Sequence, residues 1–305
     1  MAIETVGIVG SGTMGAGIAQ VSAKAGMRVI VARMTQGPTD EVLKRVEKGF
    51  LRDVEKGKMK EEEKNEIMSR VKATANLDDL KDCDLIIESI VEDTAKKNEL
   101  FRKLDAVCKP GTILGSNTST LCIAELRVGV KRANLFAGVH FFNPVPAMKL
   151  VELILPVGAS PELGATLQEY VQRIGKVPVM VKDMPGYIVN RLLVPQLIEA
   201  IRTFEQGVAS MADIDAALQL GLGHPMGPFA LSDLIGLDIV NAMAETLYHE
   251  FKDTRFASPP LLKRMLLSGY LGKKSGMGFF DYSQKPPKPN EWLAHGDLKS
   301  APAKV

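Results

Sequence analysis

The sequence predicts an α/β domain built on a parallel sheet, followed by an all-α domain. Short, wholly apolar runs such as residues 6–9 (VGIV) are typical of strands that are buried on both faces of a parallel sheet, and helical patterns alternate with them. From residue 185 to residue 248 the pattern is almost entirely helical, with glycine and proline punctuation. We therefore expect a sheet domain over residues 1–184, a helical domain over 185–284 and a flexible tail over 285–305.

The composition is that of an ordinary globular protein. Of 305 residues, 46% are hydrophobic and 24% are charged, and 38 basic against 36 acidic residues give a net charge of +2. The chain is long enough for two domains with a sizeable core. Balanced charge, without a basic run interleaved with aromatic residues, argues against a nucleic-acid-binding protein.

Three cysteines, Cys83, Cys108 and Cys122, are odd in number and lack the spacing of metal ligands. Free thiols in a reducing compartment account for them, so no metal site is expected. The N-terminus enters a strand without the charged and apolar segments of a signal peptide, and no apolar run approaches the ~20 residues of a membrane span. We expect a cytoplasmic protein without a membrane partner.

A glycine-rich turn, GSGTMG, directly follows the first predicted strand. It comprises Gly10, Gly12, Thr13, Met14 and Gly15. In the G-x-G-x-x-G pattern the first glycine makes a tight turn, the second lets the backbone approach a pyrophosphate, and the third lets the helix pack on the strand. A helical pattern over residues 16–25 and a second strand over 28–32 (RVIVA) follow. An ordinary glycine turn is the alternative, but this context favours a Rossmann-like dinucleotide-binding domain.

Residues 39–70 are rich in Lys and Glu, and apolar residues at helical spacing predict one or two long amphipathic helices. Most of this charge is expected on a solvated face. The basic residues Lys56, Lys58 and Lys60 have a second interpretation, which is contact with a phosphate-bearing substrate.

The alternation of strand and helix continues with predicted strands at residues 85–87 and 112–114 and a helix at 95–108 between them. A polar cluster, SNTST at residues 116–120, follows the second of these strands. Ligands of doubly wound sheets lie at the carboxyl ends of strands, so the cluster is placed to contact a substrate or a nicotinamide. Capping of a helix predicted over residues 123–130 is the alternative.

His140 and Glu152 lie on two apolar runs of strand type, residues 135–142 and 149–155, with the break Asn143-Pro-Val-Pro between them. Paired strands would bring the two side chains together. A carboxylate that holds one imidazole nitrogen fixes the tautomer and favours the protonated ring, as a general base for a hydroxyl proton requires. A histidine between apolar neighbours is otherwise a hydrogen-bonded structural residue, and this alternative stays open.

The remaining elements are a helix over residues 161–174, a strand over 177–181 and then helices. The segment 186–202 is apolar on most sides, which suits a helix buried in a domain or subunit interface. Asn190 is polar within this surface and needs a partner, either a backbone group or a substrate carbonyl.

Six motifs together carry a resemblance that covers residues 6–282: GSGTMGAGIAQ, SNTST, HFFNPVPAMKLVE, PGYIVNRLLVP, HPMGPFAL and GKKSGMGFFDY. The chain resembles the L-3-hydroxyacyl-CoA dehydrogenases, especially the short 3-hydroxybutyryl-CoA type. The resemblance implies that His140 is the catalytic base, that Glu152 orients it, and that Ser119 and Asn190 contact the C3 oxygen of an acyl-CoA substrate. It also implies a homodimer built by the helical domain. The cofactor contacts that it implies are Glu92, Lys97, Asn117, Ser119, Asn143 and Lys274.

The reaction implied by the resemblance is reversible hydride transfer between C3 of a 3-hydroxyacyl thioester and a nicotinamide ring, with His140 moving the hydroxyl proton. Two rivals are a related dehydrogenase for another hydroxy acid, similar to the L-gulonate or carnitine enzymes, and a non-catalytic protein that uses the fold for cofactor sensing or structure. The first would not be expected to carry HFFNP and KLVE together, and the pair His140 and Glu152 argues against the second.

The second predicted strand ends in RVIVARMT, about 20 residues past the glycine turn, where an acidic residue would bind the ribose 2′-hydroxyl of NAD. This chain has Arg33 there, with Thr35 close by, and no Asp or Glu between Glu4 and Asp40. Arginine neutralises the 2′-phosphate of NADP, so we expect NADP(H) to be favoured and NAD(H) to be usable. A solvated arginine in an NAD enzyme is the alternative.

Overall fold

The computed structural model describes residues 2–294. The chain forms two compact units, one ending at Tyr187 and one beginning at Ile188. Each unit is described by itself.

The first unit is built on one sheet, which has eight strands within the described residues, in the order β3-β2-β1-β4-β5-β6-β7-β8. Neighbouring strands are parallel except for the antiparallel pair β6 and β7. The predicted parallel α/β fold is therefore confirmed. The strands are β1 Thr5–Val9, β2 Arg28–Ala32, β3 Val71–Thr74, β4 Leu85–Glu88, β5 Ile113–Ser116, β6 Phe136–Phe141, β7 Leu150–Leu155 and β8 Val177–Lys182.

Helices cover both faces of this sheet, which is why its central strands are mainly apolar. Alternate residues of β4 separate the two sides: Leu85 and Ile87 join the core on one face of the sheet, whereas Ile86 joins the core on the other face. The helices are α1 Thr13–Lys24, α2 Asp40–Glu55, α3 Glu61–Ser69, α4 Thr94–Val107, α5 Ile123–Leu126 and α6 Pro161–Arg173, with 3₁₀ turns at Leu77–Leu80 and Ala133–Leu135.

Three local predictions differ from the structure. The strand β3 follows α3 directly and was not predicted, because a four-residue edge strand, VKAT, has too few apolar positions to show a period. The helix α1 begins at Thr13, inside the glycine motif, and not at residue 16. The helix α5 ends at Leu126 and not at residue 130, and Gly129 nearby has a φ of +84°, a conformation that a helix does not use.

The second unit is mainly helical, as predicted. One apolar cluster forms its core, with Val194, Leu197, Ile198 and Ile201 of α7 at the centre. Its elements are α7 Val189–Glu205, α8 Met211–Leu222, α9 Pro228–Ile235, α10 Leu237–Phe251, α11 Pro260–Leu267, β9 Phe280–Asp281, β10 Lys288–Pro289 and α12 Glu291–Ala294, with 3₁₀ turns at Thr254–Phe256 and Lys273–Ser275.

The flexible tail expected over residues 285–305 is wrong for its described part. The strand β10 pairs with β9, and Asn290 is buried, with its amide Nδ2 donating to the carbonyl of Gly278 over 2.9 Å. Trp292 packs edge-on against Tyr270, with ring centroids 6.3 Å apart. These contacts are long-range, so the proline-rich sequence alone did not indicate them. Residues 295–305 lie outside the described residues.

Candidate active site

The glycine turn has the backbone geometry that a dinucleotide needs. Gly10 has a φ of +120°, and a Cβ there would lie 2.3 Å from the carbonyl oxygen of Ser89. A Cβ on Gly15 would lie 1.9 Å from the oxygen of Gly10, whereas a Cβ on Gly12 would meet open space. Close packing thus requires glycine at the first and third positions. The second glycine leaves open space beside the N-terminus of α1, whose first two residues are Thr13 and Met14. These residues fit a bound pyrophosphate.

A buried charge network lies where β4 and β5 end. Glu88 is fully buried, and its Oε1 accepts from Lys97 Nζ over 2.6 Å and from the backbone N–H of Ile90 over 2.7 Å. The other oxygen accepts from Ser116 Oγ over 2.6 Å. Sequence reasoning missed Glu88 as part of the site, although a carboxylate at the end of an apolar strand is unusual enough to be a signal.

Glu92 continues this network to the polar cluster. It pairs with Lys97 over 3.1 Å, accepts from the backbone N–H of Ser119 over 3.0 Å, and accepts from the hydroxyl of Thr118. Burial raises the pKa of Glu92, but the charge of Lys97 and the hydrogen bonds from Thr118, Lys97 and Ser119 outweigh burial and bring it below its ordinary value. The carboxylate therefore holds the Ser119 backbone in place.

Lys97 and Asn117 were both expected to contact a cofactor. Lys97 is buried between the carboxylates of Glu88 and Glu92, so its ammonium is engaged inside the protein. Asn117 Oδ1 accepts from the backbone N–H of Phe141 over 2.8 Å, which ties the end of β5 to the end of β6. In this structure both residues organise the strand ends.

The alternative that the SNTST cluster caps α5 is wrong. The first amides of α5, Ile123 N–H and Ala124 N–H, donate to Asp183 over 2.8 and 2.7 Å. The hydroxyl of Thr118 instead accepts from the backbone N–H of Leu121, before the helix begins. The cluster therefore lies at the carboxyl ends of the strands without capping α5.

His140 and Glu152 meet as the strand pairing predicted. They are directly opposite in the register of β6 and β7, and His140 Nδ1 lies 2.8 Å from Glu152 Oε2. An ionised carboxylate only accepts, so Nδ1 carries the proton and donates. Both side chains are buried, which strengthens this hydrogen bond. Nε2 is then the nitrogen with a lone pair, as a general base requires.

Aromatic rings surround the imidazole. The ring of Phe142 lies 4.5 Å from that of His140, and the ring of Tyr187 lies 5.5 Å away. Burial first, and then the negative charges of Glu92 and Asp183, raise the pKa of Tyr187 well above its ordinary value, so it stays a neutral phenol. Tyr187 was not singled out from the sequence, although the Pro-Gly-Tyr turn in the motif PGYIVN marked its position.

Two predicted site residues belong to the second unit. Asn190 is buried in the first turn of α7. Lys274 is half exposed, and its Nζ lies 2.5 and 2.6 Å from the two carboxylate oxygens of Asp238.

Arg33 is enclosed by its own loop. Its Nη1 pairs with Glu41 Oε2 over 2.7 Å, and its Nε donates to Thr35 Oγ1 over 3.2 Å. The guanidinium is therefore not a solvated strand end, since its side chain is only 15% exposed. Glu41, eight positions after Arg33, is thus the acid that pairs with this guanidinium.

A basic cleft of about 1080 Å³ runs along α1 between α2 and the loop that joins β6 to β7. Asn143 contributes to its wall, and Lys56 lies at the α2 end. Its basic residues are Lys24, Lys44, Arg45, Lys48, Arg52, Lys56, Lys149, Arg173 and Lys176, and its acid is Asp53. Such an excess of positive charge attracts phosphate groups.

In the described part of the chain, no cluster of three or more His, Cys, Asp or Glu residues could hold a metal ion. Across residues 2–294, no helix combines the length and hydropathy that crossing a membrane requires.

The parallel sheet, the glycine turn and the buried dyad define a nicotinamide-dependent oxidoreductase. The chain matches the family models for the NAD binding domain of 3-hydroxyacyl-CoA dehydrogenase over residues 5–184 and for its C-terminal domain over residues 186–282. It is 47% identical over 277 residues to 3-hydroxybutyryl-CoA dehydrogenase of Clostridioides difficile, covering 91% of this chain and 99% of that relative.

Solved structures are similar over the same length. The crystal structure of FadB2 of M. tuberculosis has a TM-score of 0.90 and 43% identity, covering 92% of this chain and 100% of that one. The crystal structure of (S)-3-hydroxybutyryl-CoA dehydrogenase PaaH1 of Ralstonia eutropha has a TM-score of 0.89 and 40% identity, covering 93% and 100%. The chain therefore belongs to the 3-hydroxyacyl-CoA dehydrogenase family, and the resemblance in the sequence is confirmed.

Proposed function

We propose that this chain catalyses the reversible oxidation of short 3-hydroxyacyl-CoA thioesters, such as 3-hydroxybutyryl-CoA, to the 3-ketoacyl-CoA. The observation that carries the proposal is the buried pair of His140 Nδ1 and Glu152 Oε2 at 2.8 Å, at the edge of the sheet where the Ser119 loop also lies. The relatives named 3-hydroxybutyryl-CoA dehydrogenase support the substrate class.

In oxidation, His140 Nε2 takes the proton of the C3 hydroxyl while Glu152 stabilises the imidazolium that forms. In reduction the same ring returns the proton. The nicotinamide, when bound, accepts or gives the hydride at C3. Ser119 and Asn190 bind the C3 oxygen and turn the C3 hydrogen toward the ring, a positioning effect that can supply several kcal/mol.

The basic cleft is the proposed site for the phosphates of coenzyme A. Lys56 is the residue that we assign to the substrate, and Arg52 and Lys48 follow it at helical spacing along α2 toward the N-terminus. Three phosphate groups carry more negative charge than one lysine can neutralise, which matches a cleft with several cations.

We propose NADP(H) as the preferred cofactor and NAD(H) as usable. In the first unit, the residues that we assign to the cofactor are Gly10, Gly12, Thr13, Met14, Gly15, Arg33 and Asn143. Glu92, Lys97 and Asn117 support the strand ends. In the second unit, we assign Lys274 to the cofactor. The position of Arg33 beyond β2 supports a phosphate on the 2′ oxygen of the ribose.

A homodimer formed through the second unit and a cytoplasmic location complete the proposal. Exposed leucines on the helices of that unit support the first. The free thiols of Cys83, Cys108 and Cys122 support a reducing compartment.

The test is an assay of acetoacetyl-CoA reduction with NADPH and with NADH. The reaction is measured as the loss of absorbance of the reduced nicotinamide. His140→Gln removes the base but keeps a polar side chain of nearly the same size, so turnover is expected to fall at least ~10²-fold with cofactor binding little changed. Near-normal turnover in this variant would exclude the dyad. Absence of turnover in the wild type with either cofactor would exclude the substrate class.

A further inference from the structure

The loop over residues 33–41 is folded around the guanidinium of Arg33. Besides Glu41 and Thr35, the guanidinium donates to two backbone carbonyls, Nη1 to Pro38 over 2.9 Å and Nη2 to Gln36 over 2.9 Å. Four of its five N–H groups are thus engaged within this one loop. Among these acceptors, Glu41 alone is charged.

This loop lies beside the glycine turn. The backbone N–H of Gly10 donates to the carbonyl of Ala32 over 3.0 Å, directly before Arg33. From the other side, Arg45 Nη1 donates to the carbonyl of Ser11 in the same turn. The strand end that precedes Arg33 and the guanidinium of Arg45 therefore both contact the glycine turn.

Glu41 is an anion placed with these two arginines. Its hydrogen bond and charge interaction with Arg33, and more weakly the charge of Arg45, hold the pKa of its carboxyl below the ordinary value. Glu41 is therefore ionised at neutral pH and does not leave Arg33 by taking up a proton. Its side chain is 55% exposed, so an incoming anion can displace it without breaking core packing.

We propose that Glu41 is the internal counter-anion of Arg33, that the 2′-phosphate of NADP(H) displaces it, and that Glu41 thereby sets the preference between the two cofactors. This inference rests on the proposed function. A 2′-phosphate carries more negative charge than a carboxylate and offers three oxygens, so it can engage Arg33 and Arg45 together. With NAD(H), which has only a hydroxyl at this position, the pair of Arg33 and Glu41 stays intact.

The test measures binding by calorimetry, with adenosine 2′,5′-bisphosphate and 5′-AMP as probes that differ only in the 2′-phosphate. Glu41→Gln keeps an oxygen for Arg33 but removes the competing charge. We expect it to tighten binding of the 2′,5′-bisphosphate about fivefold, while binding of 5′-AMP changes less than about twofold. Asp40→Asn is the matched control, because Asp40 is the adjacent exposed acid in the same first turn of α2. It should leave the ratio of the two affinities unchanged.

Two further variants complete the cycle. Arg33→Gln should weaken the 2′,5′-bisphosphate about tenfold, and Glu41→Gln should add nothing in the Arg33→Gln background. The affinities for NADPH and NADH, measured by fluorescence, should change in the same directions as the affinities for the two probes.

The proposal is overturned if Glu41→Gln leaves the affinity ratio unchanged or if Asp40→Asn moves it equally. It is also overturned if Arg33→Gln weakens binding of 5′-AMP to the same extent as binding of the bisphosphate. Turnover of acetoacetyl-CoA at saturating cofactor separates the two questions. A wild type that binds both probes but reduces no 3-ketoacyl-CoA contradicts the proposed reaction, and the Glu41 result stands independently.

Discussion

At the scale of single residues, the site depends on carboxylates that are buried against a specific cation or donor. Glu152 faces His140, and Glu88 faces Lys97. A buried carboxylate is costly unless it is paired and hydrogen-bonded, so each of these partners is required as much as the acid is. Lys97, which the sequence assigned to a cofactor, is therefore needed to neutralise the buried charge of Glu88.

Glu152→Gln tests the dyad without removing the hydrogen-bond partner. The amide oxygen can still accept from His140 Nδ1, but the negative charge that favours the imidazolium is lost. We therefore expect reduced turnover in oxidation, the direction in which the imidazolium forms. Rates for both proteins from pH 5 to 9 are the measurement, and superimposable profiles would contradict the dyad.

At the scale of elements, buried polar side chains fix loops from a distance. Lys176, directly before β8, is 7% exposed, and its Nζ donates to the carbonyls of Val145 and Met148 over 2.5 and 2.6 Å. Burial lowers the pKa of this ammonium. The loop that it holds follows Asn143 and forms one wall of the basic cleft.

Lys176→Met should leave two carbonyls of this loop without their donor, at a cost of about 1–3 kcal/mol. Because the loop lines the cleft, we expect a lower melting temperature together with a raised KM for the acyl-CoA. Lys182→Met, at the exposed end of β8, is the control and should change neither quantity appreciably. Equal effects of the two substitutions would show that the loop does not depend on Lys176.

In the second unit, the buried side chain of Asp233 likewise fixes a distant segment. Its two oxygens accept from the backbone N–H groups of Phe279 and Phe280 over 2.9 Å each. A Cβ on Gly278 would lie 2.0 Å from this carboxylate, which explains the glycine before the two phenylalanines in GMGFFDY. Burial raises the pKa of Asp233 from its ordinary 3.8 to about 6.

Because this pKa is higher in the folded state, the folded protein holds the proton more tightly, and stability falls as pH rises from about 4 to about 6. The loss is up to about 3 kcal/mol, and it is complete above pH 6. Asp233→Asn does not titrate. The wild type should therefore lose melting temperature relative to the variant between pH 4.5 and 6.5.

Asp281→Asn is the control for this experiment, because the hydroxyl of Ser283 lowers the pKa of Asp281 and places its titration below this pH window. Its difference from the wild type should stay constant from pH 4.5 to 6.5. A constant difference for Asp233→Asn as well would contradict the raised pKa.

At the scale of the whole molecule, the helices of the second unit expose several large leucine side chains. Leu192, Leu220, Leu222 and Leu267 are 69%, 88%, 65% and 89% exposed. Exposed leucines on neighbouring helices are the expected surface of a subunit interface.

The double substitution Leu220→Glu and Leu222→Glu should convert a dimer into a monomer, because two buried charges per subunit would have no partners. Light scattering after gel filtration measures the mass. Val157→Glu is the matched control, since Val157 is 91% exposed on the first unit and should leave the dimer intact. A dimer that survives the double substitution would place the interface elsewhere.

Apart from the edge strand β3, the sequence by itself determined the order of strands and helices in the first unit. It also determined the glycine turn and the pairing of His140 with Glu152. These features depend on local periodicity and on one hairpin-like break, so residues that are close in the sequence determine them. The six motifs also identified the family, which the family models confirm.

The tertiary structure alone decided which polar groups neutralise one another. Lys97 meets Glu88 nine residues away, Glu92 meets Ser119 across two strands, and Asn290 closes onto Gly278. No Asp or Glu lies between Glu4 and Asp40 in the sequence, yet the loop folds back and brings Glu41 Oε2 within 2.7 Å of Arg33 Nη1. Sequence spacing does not report such contacts, because a charge interaction depends on distance in space and on burial, and both are properties of the folded chain.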